Sequence, residues 1–133
     1  MPSVVVDASA LVDLFIGSPS AGAIFERLFR ARVQLHAPHS IDGEVLSAIF
    51  KLSRRRRLTD QHVDEIIDIY RGLTIERHAM TALLARIWRL RHNVSSYDAA
   101  YVALAESLNI PLLTRDGRLS RSSGHTATIE YIA

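Results

Sequence analysis

Four acidic residues stand at positions where an α/β domain has little structural need of them. They are Asp7, Glu44, Asp98 and Asp116, and each follows, opens or interrupts an apolar run. Carboxylates brought together in apolar surroundings repel one another unless a cation binds among them. Ligation by oxygen alone suits Mg²⁺ or Mn²⁺, which are ions that act on phosphate esters. The acids therefore predict a divalent-metal site.

The bulk composition indicates one globular domain over residues 1–133. The chain is 48% hydrophobic and 23% charged, and its length is enough to enclose a core of its own. It contains no cysteine, which excludes disulfides and thiolate zinc sites. No apolar stretch approaches the roughly 20 residues of a membrane span, and the N-terminus lacks a signal-like region. We expect a cytoplasmic protein without a membrane partner.

The basic charge of this chain comes almost wholly from arginine. There are 15 arginines, a single lysine, Lys51, and a net charge of +2. With the four acids set aside as metal ligands, 16 basic groups face 10 acidic ones. The planar fork of arginine favours phosphate recognition, so this balance suits a phosphate-rich polymer. A GC-rich genome would explain the arginine bias equally well.

Short apolar runs alternate with longer helical patterns along the chain. The predicted strands are 4–6, 33–37, 73–75, 111–114 and 128–132. The predicted helices are 11–15, 21–31, 41–52, 60–70, 79–91 and 96–108. Strands separated by helices imply a mostly parallel sheet covered on both faces, with ligands bound beyond the carboxyl ends of the strands. Asp7 and Asp116 both follow such ends.

Three of the acids also have structural interpretations. Asp7 could cap the next helix, although Ser9 is close enough to cap it instead and leave Asp7 without that duty. Asp98 stands three positions after Ser95, as in a capping box. Asp116 suits a turn. The joint placement of the acids, rather than any one of them, favours a shared site.

Glu44 lies on the apolar face of its predicted helix, three residues after Ile41 and four before Ala48. A glutamate buried on such a face is costly unless it has a function. The alternative, which has equal weight, is that it reaches solvent at the edge of that face or caps a nearby helix. Asp42 lies on the opposite side of the helix, and we expect it to be solvated.

A basic run ends the same helix, and its members are Arg54, Arg55, Arg56 and Arg57. Cations there complement the helix dipole and are usually solvated. Alternatively, these arginines contact RNA or an acidic partner protein, and the same alternative applies to Arg115. We expect Trp88 and Phe50 to pack on apolar helix faces.

The histidines show no metal-ligand spacing of the HExxH kind, and we leave them outside the site. They are His36, His39, His62, His78, His92 and His125.

Four short motifs match a known family in order and in spacing. They are VVVDASAL at 4–11, the stretch 38–46 with Glu44, YDAAYVALA at 97–105 and LLTRD at 112–116. On these motifs the chain resembles PIN-domain ribonucleases, specifically the VapC toxins of toxin–antitoxin pairs. The resemblance spans essentially the whole chain.

This resemblance implies a PIN-like three-layer αβα sandwich with a mostly parallel sheet of about five strands. It implies that the four acids gather around one or two Mg²⁺ or Mn²⁺ ions, with Ser9 and Thr114 beside them. It also implies a homodimer and a VapB antitoxin whose C-terminal segment covers the acidic groove. Many relatives carry Asn where this chain has Ser47, which leaves the supporting contact at that position open.

The expected function is that of a divalent-metal-dependent endoribonuclease, the toxin of a type II pair. Asp7 and Asp98 would be the principal ligands, and Glu44 and Asp116 would complete the shell. Single-stranded or looped RNA is favoured as substrate, because such segments can be splayed into a pocket.

Other functions stay open at this point. A housekeeping PIN nuclease that processes rRNA or acts on DNA is one, and a catalytically silent binding module is another. A phosphatase of the haloacid-dehalogenase kind would need an acid where Ser9 stands. A receiver domain would need a lysine on a late strand, and the only lysine is Lys51.

Overall fold

A parallel β-sheet forms the centre of the molecule. The computed structural model describes residues 2–30 and 32–133, and within them five strands pair in the order β3-β2-β1-β4-β5. All four pairings are parallel. The strands are β1 Ser3–Val6, β2 Gln34–Pro38, β3 Ile75–His78, β4 Leu112–Thr114 and β5 Ile129–Tyr131. The sequence prediction of a parallel, about five-stranded sheet is confirmed.

Helices cover both faces of the sheet. They are α1 Ala8–Phe15, α2 Ala21–Phe25, α3 Ile41–Arg54, α4 Asp60–Gly72, α5 Leu84–Arg89, α6 Ser96–Leu108 and α7 Gly117–Ser120. In one layer α1 packs on α2 and α3, and Phe15 of α1 meets Tyr70 of α4 edge to face. In the other layer α5 packs on α6, which lies across β1 and β2. Among the described residues, no helix is long and apolar enough to cross a membrane.

Helix α6 is buried over most of its length. Residues 99–105, AAYVALA, are all buried, so the helix presents apolar side chains on every side, as a helix enclosed by protein does. The helix contacts both β1 and β2. This packing fixes the first turn of α6, which carries Asp98, near the carboxyl ends of the central strands.

The elements differ from the predicted ones chiefly at their edges. The predicted strand 73–75 lies at Ile75–His78, where the polar residues of an edge strand conceal the apolar pattern. The predicted helix 21–31 is α-helical to Phe25 and continues as a π-helical turn over Glu26–Arg30, while residue 31 lies outside the described residues. Before α5, the chain forms a 3₁₀ turn at Thr81–Leu83. Helix α7 was not predicted.

The expectation that Trp88 and Phe50 pack on the core is wrong. Their exposed fractions are 66% and 56%. The buried stripe of α3 runs through Val45 and Ile49, and Phe50 lies one position, about 100°, further around the helix. The Trp88 ring instead lies under the guanidinium of Arg91, whose carbon is 4.1 Å from the ring centroid.

Asp42, which we expected to be solvated, joins α3 to α4 and β3. Arg77 donates to both of its carboxylate oxygens, at 2.9 and 2.8 Å, and the Tyr70 hydroxyl donates to Oδ1 at 2.6 Å. The Arg77 guanidinium is the main cause that lowers the pKa of Asp42. Helical periodicity correctly predicted that Asp42 lies off the core face of α3. It could not predict the ion pair, because Arg77 belongs to a different element, β3.

We predict that Asp42→Ala lowers the free energy of unfolding by about 1–3 kcal/mol, because a paired arginine and a tyrosine hydroxyl both lose their acceptor. Urea denaturation followed by circular dichroism measures this change. Asp68→Ala is the matched control. Asp68 is exposed on α4, and its surface ion pair with Arg71 is long, at 4.0 Å. Equal stability of the two variants would contradict the assigned role of Asp42.

Candidate functional site

Asp7 connects the end of β1 to the start of α1. Its Oδ1 accepts a hydrogen bond from the backbone N–H of Ala10 at 3.0 Å, which makes it the N-cap of the helix. The expectation that Ser9 takes over this duty is wrong. Asp7 is the cap because its position at the end of the strand gives it the extended backbone that an N-cap requires. Ser9 instead donates its hydroxyl to Asp7 Oδ1 at 2.6 Å.

Two hydroxyl groups fasten Asp7 to the turn after β4. Thr114 is fully buried and donates its hydroxyl to Asp7 Oδ2, while its Oγ1 accepts from the N–H of Asp116 at 2.9 Å. Ser9 Oγ accepts from the N–H of Arg115 at 3.2 Å. Each hydroxyl therefore relays a backbone donor of the turn to the Asp7 carboxylate.

The Asp7 side chain carries its charge at an energetic cost. The residue is 5% exposed, and burial raises its pKa to about 6. Hydrogen bonds from Ser9, Thr114 and Ala10 act in the opposite direction, and the charge of Asp98 raises the pKa further. Three donors occupy three of the roughly four lone-pair directions of a carboxylate, which leaves one for another ligand.

Glu44 enters the same region from α3. It is half-buried, and its Oε2 accepts from the Ser40 hydroxyl at 2.8 Å and from the Tyr101 hydroxyl at 3.0 Å. Burial raises the pKa of Glu44, these two hydrogen bonds lower it, and the charge of Asp98 raises it. Within the described chain, Oε1 makes no hydrogen bond. Of the two open alternatives, helix capping is not seen in the part of the chain that the structure describes, since the carboxylate accepts only from the two side-chain hydroxyls, and a half-buried position at the edge of the apolar face describes the residue.

Asp98 and Asp116 complete the acidic set. Ser95 is the residue before α6, but its side chain makes no capping hydrogen bond, so the capping box is not formed. Burial raises the pKa of Asp98, the Ser95 side chain opposes this, and the charge of Asp116 adds to it. Asp116 caps α7, with Oδ1 accepting from the N–H groups of Arg118 and Leu119.

The structure brings the four acids into one electrostatic neighbourhood. Asp98 connects them by charge, because it raises the pKa of Asp7 and of Glu44, and the charge of Asp116 in turn raises the pKa of Asp98. Over residues 2–30 and 32–133, however, no three of these acids bring ligand oxygens within 4.8 Å of one another. Glu44 lines one hollow and Asp98 and Asp116 line another, and we call the region between the four carboxylates the acidic cleft.

Basic residues line the hollows on both sides of this cleft. A hollow of about 440 Å³ contains Ser9 and Glu44 together with Lys51 of α3 and Arg55, the residue that follows α3. A second, of about 350 Å³, contains Asp98 and Asp116 together with the basic residues Arg91 and Arg118. A third, of about 610 Å³, joins Glu44 to Ser47, Lys51 and Tyr97. An acidic centre with basic walls suits a phosphodiester chain.

The arginines named from the sequence differ in their surroundings. Arg54, Arg55, Arg56 and Arg57 are all exposed, and Arg55 is the one that lines the hollow with Glu44. Arg115 is engaged within the chain. It donates to Asp13 Oδ2 and to the carbonyl of Ile132, both at 2.6 Å, so its guanidinium serves the fold.

A second polar cluster lies on β2 and β3 and escaped the sequence analysis. His36 Nδ1 is 2.9 Å from His78 Nε2 and 3.6 Å from Glu76 Oε2. The two histidines are 42 residues apart in sequence, so no motif spacing could reveal them. Only the pairing of the two strands brings them together.

The acidic residues fit a divalent cation of the hard type. All four are oxygen donors, and three of them have a pKa raised by burial. Glu44 Oε1 and one lone-pair direction of Asp7 stay available. A cation among them would offset the mutual repulsion that burial and proximity impose. Cysteine thiolates are absent from the chain and the four acids offer oxygen alone, which leaves Mg²⁺ or Mn²⁺ better suited than softer metals.

The fold and the acidic cleft define an α/β domain built around a carboxylate site. A family model described as PIN domain matches residues 4–124. Ribonuclease VapC12 of Mycobacterium tuberculosis is 38% identical over 130 residues, which cover 98% of this chain and 99% of that protein. Ribonuclease VapC3 of the same organism is 43% identical over 120 residues, with 90% and 86% covered.

A solved structure shares the architecture. VapBC2 from Rickettsia felis, bound to a DNA fragment from their promoter, superposes with a TM-score of 0.69 at 14% sequence identity. The superposition covers 98% of this chain and 99% of that one. The chain belongs to the PIN-domain family and, within it, to the VapC group. The resemblance carried by the four sequence motifs and the PIN-like sandwich are both confirmed.

We predict that ionisation of Asp7 destabilises the metal-free protein. Because the pKa rises from 3.8 to about 6 on folding, folding favours the protonated carboxyl, and this contribution is lost as pH rises through 6. In EDTA, the free energy of unfolding of the wild type should fall by up to about 3 kcal/mol between pH 4 and 7.5, relative to that of Asp7→Asn.

Urea denaturation across this pH range measures the difference. Asp64→Asn, which alters an exposed acid of α4, is the matched control and should follow the wild type. Parallel profiles for wild type and Asp7→Asn would show that burial does not perturb this carboxyl.

Proposed function

We propose that this chain is a divalent-metal-dependent endoribonuclease and the toxin of a type II toxin–antitoxin pair. The observation that carries the proposal is the buried Asp7 carboxylate, held by two hydroxyls inside a coupled set of four acids. Membership of the VapC group supports the activity, since the relatives at 38% and 43% identity are named ribonucleases.

The proposed metal ligands are Asp7 and Asp98, with Glu44 and Asp116 completing the shell directly or through water. Asp7 is the best positioned, because its three hydrogen bonds fix its orientation and still leave one lone-pair direction. A bound Mg²⁺ or Mn²⁺ would lower the pKa of a water molecule and neutralise charge on the scissile phosphate.

The neighbouring residues have supporting roles in this proposal. Ser9 and Thr114 hold the Asp7 carboxylate in place and pull the turn of Asp116 towards it. Glu44 Oε1 is free to accept a proton from the attacking water, and burial raises the pKa of Glu44, which makes the carboxylate a stronger base. The Tyr101 hydroxyl keeps the other oxygen of Glu44 occupied.

RNA is the proposed substrate. Lys51 and Arg55 on one wall, and Arg118 on the other, would bind the phosphates on either side of the scissile bond. Tyr97 lines the cleft and is largely exposed, so a base of a single-stranded or looped segment could stack on it.

A VapB-type antitoxin is the proposed regulator, and a homodimer is the proposed assembly. VapBC2 of Rickettsia felis is a complex of two such components by its name. Leu46 and Phe50 are exposed apolar residues one turn apart on α3, the helix that carries Glu44, which suits a protein partner. A basic side chain of the antitoxin that entered the cleft would pair with the acids and compete with the cation.

We predict that the purified protein cleaves single-stranded RNA in Mg²⁺ or Mn²⁺ and that EDTA abolishes cleavage. Asp98→Asn should reduce the rate by about 100-fold or more, while the unfolding midpoint changes little because Asp98 caps nothing. Labelled RNA and DNA of one sequence, incubated in parallel, measure the rate and the preference for RNA. A normal rate for Asp98→Asn would remove this residue from the site.

The same variant tests the role as a toxin. Expression of the wild type should arrest growth of the host, and co-expression of the antitoxin encoded beside this gene should restore it. Asp98→Asn, expressed to the same level, should not arrest growth. Normal growth with a nuclease-competent wild type would favour a housekeeping PIN nuclease instead.

Lys51 and Arg55 provide a separate prediction about substrate binding. Their joint replacement by alanine should weaken RNA binding and reduce the slope of log K against log salt by about 1.4, since each phosphate contact to a single strand contributes about 0.7. Arg57→Ala, an exposed arginine of the same run, is the control and should keep more of the slope. An unchanged slope in the double variant would show that Lys51 and Arg55 do not contact the RNA phosphates.

A further inference from the structure

The cluster on β2 and β3 lies apart from the acidic cleft. His36 belongs to β2, and Glu76 and His78 belong to β3, the edge strand two positions away from β1. The acidic cleft lies instead where β1 and β4 end. The candidate ligand atoms of the three residues all lie within 4.8 Å of one another.

Strand register and alternation bring these side chains together. His36 pairs with Glu76, and Pro38 pairs with His78. Because side chains alternate along a strand, residues 76 and 78 point to the same face, and that face is shared by residue 36 in the parallel ladder. An acid and a histidine two positions apart thus form one half of a chelate, and the buried His36 forms the other.

The distances suit a tetrahedral ion. With zinc–ligand bonds of about 2.0–2.1 Å, two ligand atoms of a tetrahedral site are separated by roughly 3.3 Å. The measured separations from His36 Nδ1, 2.9 Å to His78 Nε2 and 3.6 Å to Glu76 Oε2, lie on either side of that value. Adjustments of a few tenths of an ångström in two side chains would meet the geometry.

A neighbouring residue holds the carboxylate in position. Gln34 Nε2 donates to Glu76 Oε2 at 3.2 Å, and Gln34 lies two residues before His36 on the same face of β2. Partners of this kind orient metal ligands and tune their affinity. The same oxygen is thereby directed towards His36.

We propose that His36, Glu76 and His78 form a second metal site, which binds Zn²⁺ through two imidazole nitrogens and one carboxylate oxygen. This donor set differs from the all-oxygen set of the acidic cleft, so the two sites select different ions. The zinc site ties the edge strand β3 to β2. Its role is to stabilise that edge, and its fourth position is left to water.

Two metals and a set of variants test this proposal in untagged protein freed of metal by dialysis. Calorimetric titration with Zn²⁺ should show one site in the wild type that survives in Asp98→Asn. His36→Gln and His78→Gln should each lower the affinity at least about tenfold. His62→Gln, on α4, is the matched control and should bind as the wild type does. Co²⁺ should give visible absorption bands of a tetrahedral site in the wild type and in His62→Gln, but not in His36→Gln or His78→Gln.

Zinc should also raise the melting temperature of the wild type, because an ion that binds only the folded chain stabilises it. Glu76→Gln alters an exposed strand position and keeps the fold testable if a histidine variant fails to fold; it should weaken Zn²⁺ binding and abolish the melting shift. Zinc affinity and melting shift unchanged in Glu76→Gln and His78→Gln would overturn the proposal and leave the 2.9 Å contact as a hydrogen bond between the two imidazoles. Failure of RNA cleavage would not affect this result, since the readouts are binding and stability.

Discussion

The hydrogen bonding of one buried carboxylate organises this molecule. Asp7 ends the central strand, caps α1 and receives the hydroxyls of Ser9 and Thr114, so three elements meet on a single side chain. Burial makes its charge unfavourable, and the hydrogen bonds offset only part of that cost. A buried, ionised carboxylate of this kind lowers the stability of the fold, and the same negative charge favours the binding of a cation. Functional sites are where proteins commonly accept such a conflict.

The remaining acids reach Asp7 because the fold is layered. Helix α6 is buried on all sides and brings Asp98 to the strand ends, while α3 supplies Glu44 from the opposite layer. Helix α7 is only four residues long, yet its cap is Asp116. Asp7, Glu44 and Asp116 therefore have a local structural task or a hydrogen-bond partner as well as a place in the acidic set. The structural and functional interpretations of these residues are complementary.

Local patterns in the sequence were enough to predict most elements and the four acids. Helix 96–108 and the strand-end positions of Asp7 and Asp116 follow from apolar runs, which report burial directly. Contacts across strands have no such local signal. The ion pair of Arg77 with Asp42 and the contact of His36 with His78 both depend on the position of β3. The polar residues of β3 concealed that strand in the sequence, so neither contact could be predicted. Exposed aromatics such as Phe50 were misplaced because helical periodicity cannot separate a core from a partner surface.

The sequence separation of the residues at the cleft determines when the cleft can assemble during translation. Asp7 and Thr114, whose side chains are bonded, are 107 residues apart in sequence, and β1 lies between β2 and β4. At a synthesis rate of roughly 5–20 residues per second, about 5–20 seconds separate the emergence of the two from the ribosome. A nascent chain that ends between residues 44 and 98 thus contains Asp7 and Glu44 but neither Asp98 nor Asp116. Translation itself delays assembly of the cleft until nearly the entire chain has been made.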